Sequence, residues 1–178
     1  MTLVSVDGVV LVTGIMASGK STVAEALARR LPRAAHVRGD TFRRMIVSGG
    51  VPPLPGDSEG ADQLRLRYRI SASVADQYVE SGFTAIVQDI VIGPELAEYV
   101  KLVRARPLRV VVLAPRPEVV AGREATRAKT GYVDWTVEEL DAELRQATAR
   151  LGLWLDTSEQ TPEQTVDEIV DRLHDATV

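Results

Sequence analysis

Gly14-Ile15-Met16-Ala17-Ser18-Gly19-Lys20-Ser21 meets the pattern G-x-x-x-x-G-K-[ST] at every fixed position, and Thr22 follows it. Each fixed residue answers a physical need. Gly14 and Gly19 allow a tight turn whose backbone N–H groups converge on phosphate oxygens. A helix starting at Lys20 adds the positive end of its dipole. Lys20 supplies a full charge for the β- and γ-phosphates, and the Ser21 hydroxyl suits the coordination shell of Mg²⁺. Ala17, Ser18 and Thr22 complete the cradle. The plainer reading is a glycine-rich turn between a strand and a helix. The flanks favour the phosphate cradle: Gly8 to Thr13 reads as a buried strand, and Val23, Leu27 and Leu31 repeat at helical spacing until Pro32 stops them.

The same alternation continues outward. Ala35 to Arg38, Thr84 to Gln88, Leu108 to Leu113 and the weaker Gly152 to Leu155 read as further strands. Such short apolar runs suit strands covered on both faces. Leu64, Tyr68, Ala72, Ala75 and Val79 form one stripe of a longer helix that ends near Gly82. Thr136 with Glu139, and Thr161 with Gln164 behind Pro162, are capping boxes that open two more helices. Strands alternating with helices predict an α/β fold with a parallel sheet between helical layers, in one domain spanning residues 1–178. Ser48 to Ala61, with three prolines and four glycines, is expected to be a long loop.

Composition narrows the function. The 178-residue chain is 45% hydrophobic and 26% charged, as expected of a globular protein with a sizeable core. With a net charge of −4, nucleic acid is not the expected partner. The absence of cysteine excludes disulfides, thiolate metal sites and a cysteine nucleophile. No apolar run approaches a membrane-spanning length and the N-terminus lacks signal-peptide features, so a cytoplasmic location is expected.

Two carboxylates stand at predicted strand ends. Asp40, after the second strand, is placed to accept a proton from an acceptor hydroxyl or to hold it in line, with helix N-cap as its alternative role. Asp89, after the third strand, is placed to orient Mg²⁺, with a turn or cap as its alternative. Either could serve as the base. Arg123 and Arg127 lie four apart and share a helical face, so they could close over phosphates as part of a lid spanning about residues 116–135, with Gly122 and Gly131 as hinges. A solvated helix is the alternative. Arg43 and Arg44 could reach the acceptor or form a solvated basic face. Arg65, Arg67 and Arg69 do not share one face, and a solvated role is expected for some of them. His36, His174, Trp135 and Trp154 are expected to be structural.

On GIMASGKST, VRGDTFRRM and GREATR the chain resembles the small P-loop kinases of the nucleoside-monophosphate-kinase-like group, which includes chloramphenicol phosphotransferase, adenylylsulfate kinase, gluconate kinase and shikimate kinase. The resemblance covers nearly the whole chain. It implies a three-layer α/β/α P-loop NTPase fold with a helical lid and strand order 2-3-1-4-5. It also implies ATP and Mg²⁺ as cofactors and a position beside the base for Thr157 and Ser158. Gln88 stands where relatives often carry a second carboxylate, so Mg²⁺ would depend more on Ser21 and water.

Transfer of the γ-phosphoryl group to a small-molecule hydroxyl, first of all on an antibiotic, is the expected function, in a monomer or homodimer. Sugar-acid, nucleoside and polynucleotide-end kinases are the near alternatives. A nucleotide-operated switch without an acceptor is the alternative of another class, and a P-loop binding module without turnover is a third.

Overall fold

A computed structural model describes residues 5–126 and 135–178. Its centre is a five-stranded, all-parallel sheet in the order β2-β3-β1-β4-β5, as the resemblance implies. The strands are β1 (Val9–Thr13), β2 (Ala34–Arg38), β3 (Thr84–Gln88), β4 (Leu108–Leu113) and β5 (Leu153–Leu155).

β1 lies in the middle and is buried throughout. Because strand side chains alternate, Val9 and Leu11 join the core on one face while Val10 and Val12 join the other. α1 (Lys20–Arg29) and α7 (Pro162–Asp171) cover the second face through Val23, Leu27, Val166 and Ile169. The first face is covered by α3 (Ser58–Glu80), α4 (Glu95–Leu102), α5 (Pro117–Ala125) and α6 (Val137–Ala142), with Tyr68, Ala72, Leu96, Tyr99, Val120 and Leu140 packed inward. Both capping boxes form, at Thr136 with Glu139 and at Thr161 with Gln164. A π-helical turn, Glu143–Ala147, continues α6. Among the described residues no helix is long and apolar enough to cross a membrane.

Two local expectations change. The loop after Ser48 is shorter than its composition suggests, because α3 begins at Ser58, with the Asp57 side chain accepting from Glu59 N–H at 3.0 Å. Gly60 lies inside that first turn for a steric reason: a Cβ there would sit 2.2 Å from the Pro52 carbonyl oxygen, so the proline segment packs directly on the helix. The short helix α2 (Gly39–Arg44) starts one residue before Asp40, with Arg38 at its N-cap. Asp40 therefore does not cap it, and its carboxylate pairs with Arg44 one turn on.

Candidate active site

The turn from β1 into α1 carries the phosphate-binding pattern at the carboxyl end of the sheet. Gly14 has φ +145°, and a Cβ on it would lie 2.4 Å from the Leu113 carbonyl oxygen. Gly19 has φ +97°, in the left-handed region that favours glycine. Ala17 also has positive φ, 59°. These conformations turn the loop back so that Lys20 opens α1. Lys20 is only 6% exposed, and its Nζ donates to the Ile15 carbonyl at 2.6 Å across the loop. Ser21 and Thr22 are exposed in the first helical turn, where backbone N–H groups lack intrahelical partners.

Asp89 follows β3 and is 3% exposed. Its Oδ1 accepts from Arg67 Nη2 at 2.7 Å and from Ile90 N–H at 2.8 Å. Its Oδ2 is buried with no hydrogen-bond partner. Burial pushes its pKa up. Arg67, the Ile90 N–H and Lys20 oppose that push, and the Asp40 charge adds to it. Asp89 thus feels both Lys20 and Asp40. The loop after it is held by Thr13, whose hydroxyl donates to the Val91 carbonyl at 2.8 Å and accepts from Val91 N–H at 2.9 Å. Tyr68 adds a bond of 2.6 Å to the Ile90 carbonyl.

Across the loop, Arg123 of α5 donates to the Ser18 carbonyl at 3.3 Å and to the Thr157 carbonyl at 3.0 Å. One guanidinium thereby ties the phosphate loop to the segment after β5. Arg127 and Gly131 lie outside the described residues. Thr157 is buried with an unpartnered hydroxyl. The Ser158 hydroxyl instead holds its own loop, accepting from Arg116 N–H at 2.8 Å and donating to Asp156. Arg43 and Arg44 are both exposed on α2, and Arg44 is committed to Asp40.

The chemistry of the donor set fits Mg²⁺. This ion is typically held by one or two carboxylates, substrate phosphates and water. An exposed hydroxyl at Ser21 and a buried carboxylate oxygen without a partner at Asp89 meet that requirement. No cluster of three or more protein ligands exists among the described residues, and such a site needs none.

Arg67 makes the contact at this site that composition hid. The alternation of Arg65, Arg67 and Arg69 left a solvated role for at least some of them. Yet Arg67 borders the apolar stripe at Leu64 and Tyr68, and that position turns it inward to Asp89. Arg65 pairs with Asp62 and Glu95, and Arg69 is exposed. His36 bonds Glu25 at 2.8 Å on the sheet edge, and His174 lies on the surface. Trp135 and Trp154 pack against the core, as expected.

Known proteins share the fold. A family model described as "AAA domain", AAA_33, matches residues 9–151. A protein of Aeropyrum pernix named "UPF0200 protein" is 32% identical over 135 residues, covering 74% of this chain and 71% of that protein. A sugar kinase from Janibacter sp. HTCC2649 superposes with a TM-score of 0.73 at 20% identity, over 96% of each chain. The APS kinase CysC of Mycobacterium tuberculosis, in complex with AMPPNP and APS, does so with a TM-score of 0.69 at 18% identity, over 94% of this chain and 98% of that one. This chain belongs to the AAA_33 family of AAA domains, and its fold is that of the small P-loop kinases.

Proposed function

We propose that the protein is an ATP-dependent kinase that moves the γ-phosphoryl group to a hydroxyl of a small molecule. The observation that carries this reading is the grouping of Lys20, Asp40 and Asp89 just beyond the carboxyl ends of the neighbouring strands β1, β2 and β3, with Gly39, next to Asp40, packed on the Asp89 carboxylate. A binding module would need the cradle alone, without a carboxylate beside it.

The residues divide the work. Backbone N–H groups of Gly14 to Thr22, with Lys20, hold the β- and γ-phosphates. Mg²⁺, held by Ser21 and Asp89, would neutralise phosphate charge. Asp40 is half exposed, with 48% of its side-chain surface accessible, so it can meet an incoming hydroxyl; Asp89 is enclosed. We therefore assign Asp40 as the base and Asp89 to the metal. The acceptor oxygen bonds to the γ-phosphorus, the bond from that phosphorus to the β,γ-bridging oxygen breaks, ADP leaves, and the hydroxyl proton passes to Asp40. Arg123 braces the phosphate loop and stabilises the charge that develops there. Arg127 would join it from the lid, and Thr157 would border the base. Arg43 faces the acceptor. ATP supply fits a cytoplasmic protein.

The test is transfer of label from γ-³²P-ATP across a panel of antibiotics, sugars, sugar acids and nucleosides. Label on an acceptor hydroxyl supports the reading. ATP hydrolysis that no acceptor accelerates would instead support a nucleotide-operated switch.

A further inference from the structure

Beside α2 lies a cavity of about 160 Å³, walled by that helix, the proline segment and α3. Phe42, Ile46, Val51, Pro53, Leu64 and Ile70 give it an apolar surface. Its mouth carries large exposed apolar side chains: Met45 is 66% exposed, and Leu66 and Ile70 are partly exposed as well. The cleft is therefore open to solvent along an apolar edge. Among the described residues the charged groups lining it are Arg43 and Arg67, with no carboxylate.

Two connections join the cleft to the phosphate site. Phe42 and Arg43 follow Asp40 by two and three residues on α2. Arg67 forms part of the wall and also bonds Asp89 Oδ1 at 2.7 Å, while its Nε is buried without a partner.

We infer that this cleft takes the non-reacting part of the acceptor, and that the acceptor is an alcohol bearing a ring-sized apolar group and no positive charge. The inference rests on the kinase reading for the word acceptor, but not for the binding itself. Size sets the first limit, since a cavity near 150 Å³ accommodates a benzene-sized group. Polarity sets the second: the wall is mostly apolar, with Arg43 and Arg67 its only guanidinium donors among the described residues, so a polyol would leave most of its hydroxyls without partners there. Charge sets the third, because two guanidinium groups repel a cation and tolerate a neutral or acidic ligand. Binding energy gained here, away from the reacting atoms, is what would align the hydroxyl with Asp40.

The probes are 2-phenylethanol, 4-(hydroxymethyl)benzoate, the cationic 4-(aminomethyl)benzyl alcohol, and gluconate as a polyol control. Calorimetric binding to the ATP-analogue-loaded protein and label transfer from γ-³²P-ATP are both measured. The neutral and acidic ring compounds are expected to bind at least about tenfold more tightly than the cation and gluconate. Ile46→Arg, a partly exposed position that fills the cleft, is expected to erase that preference while leaving ATP affinity and the thermal transition in place. Gluconate binding as tightly as the ring compounds, or ring binding that Ile46→Arg does not change, overturns the inference. Ring compounds that bind with the expected preference yet receive no label uphold the cleft and count against the kinase reading alone.

Discussion

A Cβ built on Gly39 would lie 1.8 Å from Oδ2 of Asp89. The first residue of α2 thus rests directly on the carboxylate that ends β3, and the next residue is Asp40. Asp89 cannot step aside, because Arg67 and Ile90 N–H grip its other oxygen. Gly39→Ala must therefore push α2 away. Overpacking of this kind costs about 1–3 kcal/mol, which urea unfolding would show. Turnover should fall as well, because Asp40 moves with the helix. Wild-type stability and turnover in this variant would mean that the contact is slack.

Lys20→Ala should leave the fold intact and lower phosphoryl transfer by about 10²-fold or more. The side chain lies across the phosphate loop, bonded to Ile15 rather than packed as a core strut. Circular dichroism and label transfer on the same sample separate the two effects. Transfer that survives in a folded variant would rule out the phosphate role of the loop lysine.

Asp40→Asn should lower kcat by about 10²- to 10⁴-fold, the usual range for a lost general base, with ATP affinity nearly unchanged. Arg44 serves as the internal control, since it pairs with Asp40 from the exposed side. Arg44→Ala should therefore cost far less than Asp40→Asn. If Asp40→Asn weakens nucleotide binding and spares kcat, Asp40 serves the metal and Asp89 becomes the candidate base.

Arg123→Ala removes a side chain that bonds both the Ser18 and Thr157 carbonyls. Both kcat and the KM for ATP should worsen, because the variant loosens the phosphate loop and the segment after β5 together. Arg123→Lys cannot span both carbonyls with one ammonium and should rescue little. Full rescue by lysine would reduce Arg123 to a general positive charge.

The sequence carried the centre of the sheet because β1, β3 and β4 are short apolar runs rich in β-branched residues, and burial on both faces leaves little ambiguity in such runs. The phosphate loop was equally plain, since its glycines and lysine are required at fixed offsets. Contacts between distant segments were not. Arg67 meets Asp89 because α3 packs beside β3, 22 residues apart in the chain; its place beside the Leu64 and Tyr68 stripe is the local signal, but that signal does not name the partner. The α3 start was masked by proline and glycine, although Asp57 two residues before Glu59 was a readable cap. Composition also pointed to a loop where the fold makes a cleft wall.

Asp89 offers a test of whether the site is kept for stability or for chemistry. Burial raises its pKa even with Arg67 alongside, so the folded protein holds that proton more tightly than the unfolded chain does. The sign follows from linkage. Its contribution to stability is greatest at acid pH. It declines as pH rises from the unfolded value near 4 through the higher folded value, and is level beyond that. Asp89→Asn removes the titration and nearly preserves the shape. Wild type and variant should have similar stability at acid pH, where both side chains are neutral, and the wild type should fall behind as pH rises. Urea unfolding of both proteins between pH 4 and 8 checks the trend. Phosphoryl transfer should move the opposite way, with the more stable variant the poorer enzyme, since the ionised carboxylate is what the metal requires. If the wild type instead gains on the variant as pH rises, the Arg67 pair outweighs burial, and Asp89 is a structural anchor that the metal merely uses.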